Sequence, residues 1–323
     1  MSEPSTSPTL PADQTDVPAA NKWVAFTAIG IAFFTMVASM GMVFIALSQI
    51  ADTFEITLRS ASWIVIVQGL TISAFMLPMG RFADIIGRKK VHLIGLIFFA
   101  SGSVFTALAP SFGLLILARI VTAVGNSMGQ SVGTAMVLSV FPARERGKAI
   151  GAQTTSVAIG GAMGPVIAGI VLQFLPWQSL FLMLTIPIGI AFVAGYFILD
   201  EKIVSQQRTG VKPNFDWMGA IVSGLMIIIV VILINNPFDV AIISTPILGG
   251  IVSSVLLLAF FIRWELRSRS PMLDLRMFKN IMFSMAIATR FLGFLGTTTV
   301  RFLMPIYLIS LRNIEEAAAG GIL

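Results

Sequence analysis

From Trp23 onward the chain alternates long apolar stretches with short polar segments. A helix needs about 20 apolar residues to cross the hydrocarbon core of a bilayer, and nine stretches of this chain are long enough. A membrane β-barrel would instead show segments of about 10 residues with alternating polarity. The pattern therefore predicts nine membrane-spanning helices, over residues 23–50, 61–80, 91–109, 112–140, 149–174, 178–199, 217–235, 240–262 and 281–310.

Composition narrows the class of protein further. Only 11% of the residues are charged and the mean hydropathy is +0.93, whereas a soluble domain carries about 25% charged residues. The chain has no cysteine and one histidine, His92, which excludes disulfides and thiolate metal sites and argues against a metal centre or His-based catalysis. We therefore predict an all-α, polytopic membrane helix bundle that is not an enzyme.

The distribution of positive charge predicts the orientation. Most of the 21 basic residues lie in the N-terminal tail and in every second loop, whereas the opposite loops hold only Arg59 and Arg312. Because Lys and Arg are retained in the cytoplasm, the N-terminus is predicted to be cytoplasmic. The net charge of +6 then follows from topology and requires no nucleic-acid partner. We expect a multi-pass protein of the cell (inner) membrane, with the lipid bilayer around it.

The loop after the second predicted span places two glycines, an aspartate and several cations at fixed offsets. Glycines allow tight turns and close helix approach, and a carboxylate at a helix end can meet a helix dipole or a cation. Arg144 or Arg146 in the next cytoplasmic loop is the expected partner of that carboxylate. A generic basic loop is the alternative interpretation. The residues concerned are Gly80, Arg81, Asp84, Gly87, Arg88 and Lys89.

This loop resembles the G-x-x-x-D-x-x-G-R-K/R motif of major facilitator transporters at every defining position. The resemblance implies two helix bundles that rock around a central substrate site, with the loop controlling the movement. The fifth predicted span resembles the family's antiporter motif through Gly160, Gly164, Pro165 and Gly169, which implies an exporter. Its small residues allow close packing and its proline kinks the helix; simple packing is the alternative.

Arg119 lies within the fourth predicted span, where the family has a buried arginine. A guanidinium at that depth is costly and is normally paired or functional, although a structural arginine that reaches the interface is the alternative. The resemblance also implies proton antiport. We expect no cofactor, and Ser39 stands where the family has an aspartate, so no acidic residue lies well inside any predicted span. Arg119, Arg290 and Arg301 therefore favour an anionic, zwitterionic or lipid-like substrate as an alternative.

Other polar residues complete the candidate set. Gln49, Gln68 and Gln153 are predicted to line the central cavity. His92 is predicted to lie at the membrane interface rather than to relay protons.

The segment after the sixth span resembles the fourteen-span drug:proton antiporters, because residues 264–280 are similar to that family's connector. The expected organisation is a disordered cytoplasmic tail, a six-helix bundle, a cytoplasmic loop, two additional helices, a cytoplasmic connector and the first helix of a C-terminally incomplete second bundle. These regions are 1–22, 23–199, 200–216, 217–262, 263–280 and 281–323.

The expected function is secondary active export of small amphipathic or drug-like compounds by alternating access with proton antiport. An importer of the same fold and a non-transporting fragment are the alternatives. A membrane enzyme or sensor would need a polar catalytic cluster or a soluble domain, and the sequence contains neither. The predicted partners are a small-molecule substrate and the lipid bilayer, and the oligomeric state is left open.

Overall fold

The structure is a computed structural model that describes residues 19–204, 215–236, 240–241, 244–268 and 270–306. Twelve α-helices and two short 3₁₀ turns, Ala143–Glu145 and Leu275–Lys279, account for the regular structure of these ranges. The helices are α1 (Ala19–Thr53), α2 (Leu58–Ala61), α3 (Trp63–Ile86), α4 (Arg88–Ala107), α5 (Phe112–Val140), α6 (Arg146–Val171), α7 (Gln178–Met183), α8 (Thr185–Ile198), α9 (Glu201–Val204), α10 (Trp217–Asn235), α11 (Thr245–Arg267) and α12 (Ile281–Ile306).

Eight segments of the described part are long and apolar enough to cross a membrane, and each coincides with one of the first eight predicted spans. The predicted all-α membrane bundle is confirmed. The ninth predicted span, 281–310, is helical as α12, of which Ile281–Gly296 forms a shorter apolar segment. Its last residues, 307–310, lie outside the described residues.

Local sequence explains where the helices begin and end. The side chain of Ser111 accepts a hydrogen bond from Leu114 N and caps α5, and Asp216 caps α10 through Gly219 N at 2.9 Å. The sixth predicted span is two helices, α7 and α8, in one continuous apolar segment. Pro187, in the first turn of α8, has no N–H to continue the ladder from α7, which explains the break.

The first six spans pack most closely in three pairs: α4 with α5, α1 with α6, and α3 with α5. Small residues bring the backbones of α4 and α5 together. A Cβ on Gly125 would overlap backbone atoms of Gly95 and Phe99, and one on Gly102 would lie 2.5 Å from Thr122 N. Transmembrane helices approach this closely where glycines remove the intervening side chains. These pairs form the framework that holds the polar side chains described below.

The described residues fall into two compact units that divide between Phe261 and Ile262. In the first unit α10 packs on α3, and the ring of Phe215 meets that of Phe82 edge-on at 6.2 Å. In the second unit Leu273 N donates a hydrogen bond to Glu265 at 3.3 Å, and Asp274 accepts one from Arg276 N. The predicted division into a bundle, two additional helices and a connector stays a prediction.

Candidate functional site

The candidate gating loop is a single-residue joint between two helices. Gly87 ends α3 and begins α4 with φ 107°, a backbone conformation that favours glycine over every residue with a Cβ. Asp84, in the last turn of α3, accepts a 3.4 Å ion pair from Arg88 in the first turn of α4. Both side chains are partly exposed, so this pair contributes little to stability. Gly80 is less constrained, since a Cβ there would meet Ser131 Cβ at an ordinary 3.9 Å.

The following lysines attach α4 to the end of the sixth span. Lys89 Nζ donates a hydrogen bond to the carbonyl oxygen of Tyr196 at 2.8 Å and lies 5.6 Å from its ring centroid. Lys90 forms a 3.6 Å ion pair with Glu201 of α9. Arg81 is half-buried, and its Nε has no hydrogen-bond partner among the described residues. The motif thus joins three helix ends rather than forming an isolated loop.

The loop between α5 and α6 is anchored to α1. Glu145 accepts an ion pair from Lys22 at 2.7 Å, and Lys148 Nζ lies 5.4 Å from the ring of Trp23. Arg144 and Arg146, the predicted partners of the motif aspartate, are exposed. The ion pairs of the described residues include neither of them in this conformation, so that pairing stays a prediction.

The antiporter-like segment forms a glycine contact between α6 and α1. A Cβ on Gly160 would lie 2.7 Å from the carbonyl oxygen of Phe34, and one on Gly164 would overlap the carbonyl oxygen of Ala38. On α1, a Cβ on Gly41 would lie 2.6 Å from Cδ of Pro165. We call these four residues, Gly41, Gly160, Gly164 and Pro165, the glycine seam. Gly169 does not belong to it, because a Cβ there would meet nothing within 4 Å.

Arg119 is fully buried in α5 between two other helices. Its Nη2 donates a hydrogen bond to Oε1 of Gln68 on α3, and its Cζ lies 5.2 Å from the ring centroid of Phe181 on α7. Arg119 Nε and Nη1 have no hydrogen-bond partner among the described residues, nor does Gln68 Nε2. Sequence reasoning selected Arg119 and Gln68 separately, but the structure brings them together.

A polar stripe continues along α5 from this arginine. Asn126, Gln130 and Thr134 follow Arg119 at spacings of seven, four and four residues, which places all four on one helix face. Gln130 Nε2 donates to Asn126 Oδ1 at 2.6 Å, and Gln153 of α6 donates to Thr134 Oγ1 at 2.9 Å. Sequence analysis missed Asn126, Gln130 and Thr134, although their helical spacing could have revealed them.

Exposure changes steadily along the α5 stripe. Arg119 and Asn126 are buried, Gln130 is half-buried and Thr134 is exposed. The buried end lies next to an aromatic cap formed by Phe54, Phe112, Trp177 and Phe181, whose neighbouring ring centroids are 5.9–6.2 Å apart. The stripe is therefore open at its Thr134 end and closed at its Arg119 end.

Other predicted polar residues differ in their surroundings. Ser39, which stands where the family has an aspartate, is buried and its hydroxyl has no partner among the described residues. His92 is also buried, one turn inside α4, and both of its ring nitrogens lack such partners. The rotation of α4 turns this side chain into the bundle, while its predicted position at the membrane interface stays a prediction. Gln49 is half-buried and Arg290 is exposed.

The predictions for the side chain of Arg301 and for most of the N-terminal tail concern groups that the structure does not describe. The side chain of Arg301 lies outside the described residues, as does the N-terminal tail up to residue 18. In the ranges that the structure describes, no cluster of three or more His, Asp or Glu side chains is placed to hold a metal ion.

Comparison with known proteins places the chain among transporters. The family model of the Major Facilitator Superfamily matches residues 29–323. The riboflavin transporter RibZ of Clostridioides difficile is 30% identical over 94% of the chain, and the multidrug efflux pump LfrA of Mycolicibacterium smegmatis is 28% identical over 92%. The lincomycin resistance protein LmrB of Listeria monocytogenes is 25% identical over 86%. The chain spans 64%, 58% and 58% of the lengths of these relatives, respectively.

Proposed function

The chain belongs to the Major Facilitator Superfamily, and from this premise we propose that it is a secondary active exporter of small amphipathic compounds. Membership of this family of transporters, rather than of an enzyme family, agrees with the apolar, multi-spanning architecture. In the proposal, substrate is carried by alternating access, with one group of helices rocking against another around a site near the membrane midplane.

The observation that carries the proposal is the glycine seam. Gly160 and Gly164 press α6 against backbone atoms of α1, so these two helices cannot tilt independently without opening a gap or a clash. Pro165 lies inside α6 and removes one of its internal hydrogen bonds, which makes that point the easiest place to bend. A rigid pair of helices with a built-in bend suits a rocking transporter, and the resemblance of this segment to the antiporter motif supports export.

The relatives and the α5 stripe support the proposed substrate class. Two of the relatives are named for multidrug efflux and for lincomycin resistance, which supports a drug-like or amphipathic substrate. The open end of the stripe offers the uncharged Gln130 and Thr134 beside apolar helix surface. Uncharged polar groups set in an apolar wall are typical of sites that accept amphipathic small molecules.

The proposal includes proton antiport and a cytoplasmic N-terminus in the inner membrane. Positive residues of the gating loop and of the loop between α5 and α6 would then face the cytoplasm. His92 is the candidate proton carrier, since it is a titratable side chain buried one turn inside α4 without a hydrogen-bond partner among the described residues.

A dye-efflux assay tests the export proposal. Cells that express the chain would be loaded, in parallel, with ethidium and with rhodamine 110, an amphipathic dye that has a free carboxylate, without an energy source and then energised with glucose, with and without a protonophore. We expect faster loss of dye than from cells with the empty vector, and no difference once the protonophore is present. Equal dye loss from both strains would refute export of this substrate class, and protonophore-insensitive efflux would refute proton antiport.

A second candidate function is uptake of an anionic substrate. The observation that favours it is Arg119, a buried cation that forms no ion pair among the described residues. RibZ is named as a riboflavin transporter, so one relative is named for a metabolite rather than for a drug. Energised inside-out vesicles separate the two functions: an exporter accumulates substrate in them, whereas an importer accumulates it in right-side-out vesicles.

A further inference from the structure

We propose that Arg119 and Gln68 form a binding site for one negatively charged oxygen group, and that the transported molecule supplies this group as a carboxylate. The binding site rests on the geometry around Arg119 alone. The identification of its occupant as the transported molecule rests on the proposed transport function.

The free hydrogen-bonding capacity at this place consists of donors. Oε1 of Gln68 already accepts the bond from Arg119, so the polar atoms left without partners among the described residues are Arg119 Nε, Arg119 Nη1 and Gln68 Nε2. All three are N–H groups, and both side chains are at least 98% buried. A site that presents only donors is completed by an acceptor, and a guanidinium binds carboxylates in preference to neutral acceptors.

The charge balance points the same way. Asp84, Glu145 and Glu201 form ion pairs with Arg88, Lys22 and Lys90 at the ends of helices rather than with Arg119. Arg119 has the ring of Phe181 at 5.2 Å, and a cation–π contact offsets only part of the cost of a buried charge. A cation within a membrane span is normally matched by a negative charge. The ligand would provide that charge during each transport cycle.

The α5 stripe marks the route that we propose for the ligand. From exposed Thr134 it continues through Gln130 and Asn126, and Asn126 Nδ2 is a further donor without a partner among the described residues. Thr134 lies fifteen positions after Arg119, a separation of about 22 Å along the helix, which is most of the thickness of a hydrocarbon core. The aromatic cap closes the far end. Because Arg119 and Asn126 are buried in this conformation, a carboxylate from the Thr134 side would meet Arg119 only after α3 or Phe181 shifts.

Binding of two matched dyes to the purified full chain tests the site without any transport. Rhodamine 110 has a free carboxylate, and rhodamine 123 is its methyl ester. We expect fluorescence anisotropy to show at least about tenfold tighter binding of rhodamine 110, as for ligands that pair with a buried charge. Equal affinity for the two dyes would overturn the proposal.

Gln68→Glu is the decisive variant. It keeps the size of the side chain and gives Arg119 an internal carboxylate, so it should fold at least as well and lose the preference for rhodamine 110. Gln173→Glu is the matched control, because it makes the same change at an exposed position in the turn that follows α6. Arg119→Lys should retain part of the preference, since it preserves the charge without the planar fork. Unchanged binding in Gln68→Glu would overturn the site.

Chloride distinguishes a carboxylate of the transported molecule from an inorganic anion as the occupant of the site. Raising the sodium chloride concentration should shift the melting temperatures of the native chain and of Gln68→Glu equally if the site selects a carboxylate of the transported molecule. A rise with chloride in the native chain but not in Gln68→Glu, with equal binding of both dyes, would assign the site to an inorganic anion and overturn the substrate assignment. If dye efflux fails but the carboxylate preference holds, the export proposal and the identification of the occupant as an exported molecule are refuted, and the binding site stands.

Discussion

Gly164 on α6 faces the backbone of Ala38 on α1 so closely that a Cβ would overlap the Ala38 carbonyl oxygen and lie 3.0 Å from its Cα. These two residues are more than a hundred positions apart in the chain, yet their helices approach without an intervening side chain. Because of this contact, α1 and α6 should move together, and the closeness of their packing can be tested directly.

Gly164→Ala should force α6 away from α1, whereas Gly169→Ala should be tolerated because nothing lies within 4 Å of its added methyl group. Overpacking of a tight contact costs about 1–3 kcal/mol, and a change on an open surface stays within about 0.5 kcal/mol. Thermal unfolding of the purified chain and dye efflux measure the two effects. Equal behaviour of the two variants would show that the seam is not close-packed.

Gly87→Ala should destabilise the joint between α3 and α4. Its φ of 107° is strained for any residue with a Cβ, at a cost of about 1–3 kcal/mol. Gly80→Ala is the control, since it lies within α3 with room for a Cβ and alanine favours helix. Melting temperatures of both variants decide the matter, and a Gly87→Ala protein as stable as the control would contradict the strain.

Asp84→Asn should reduce turnover while leaving the protein inserted and folded. The ion pair with Arg88 is partly exposed, so its loss should change stability by less than about 1 kcal/mol. We expect dye efflux to fall about tenfold, which corresponds to roughly 1.4 kcal/mol in the barrier. Lys90→Gln, which removes the partly exposed pair with Glu201 at the same end, is the matched control. Normal efflux in Asp84→Asn would remove this residue from the gating mechanism.

The hydrogen bond from Trp177 Nε1 to Thr53 Oγ1, 3.0 Å long, should stabilise the aromatic cap. Trp177→Phe and Thr53→Val each remove one partner, and a double-mutant cycle isolates the bond from the packing changes. We expect a coupling of about 1 kcal/mol in the free energy of unfolding, typical of a net hydrogen bond. A coupling indistinguishable from zero would mean that the two side chains act independently.

The absence of cysteine in the sequence permits a direct test of orientation. Lys148→Cys and Arg59→Cys each introduce one thiol at an exposed position, in loops that the charge distribution assigns to opposite sides. A membrane-impermeant maleimide should label Arg59→Cys in intact cells and Lys148→Cys only in inside-out vesicles. The reverse labelling pattern would invert the predicted topology.

Hydropathy was sufficient to locate the spans, because the need to satisfy every backbone group within lipid leaves long apolar helices as the solution. It did not predict the break between α7 and α8, since both halves are equally apolar and only Pro187 interrupts the ladder. The glycines of α6 could be recognised as a packing face from their spacing. Their partners on α1, Gly41 and Ala38, could not, because spacing within one helix carries no information about its neighbour.

The candidate site was predicted in the same uneven way. Arg119 stood out as a charge in an apolar segment, but its partner Gln68 is 51 residues away and was selected only as a polar side chain. The expected partner of Asp84 was Arg144 or Arg146 in a neighbouring loop. In the structure Asp84 forms an ion pair with Arg88, which is only four residues away in the chain. The burial of His92 could not be predicted, because the rotation of α4, which turns this side chain inward, is a property of the whole bundle.

Gly87 has one more consequence for the way the protein can move. A connection of one residue contains no spare length, because consecutive Cα atoms are fixed at about 3.8 Å. The ends of α3 and α4 therefore cannot drift apart as the ends of helices on a long loop can. A change in the angle between α3 and α4 therefore requires rotation about the backbone bonds of Gly87. The two helix ends stay together during this change, so a movement of the end of α3 also moves the end of α4.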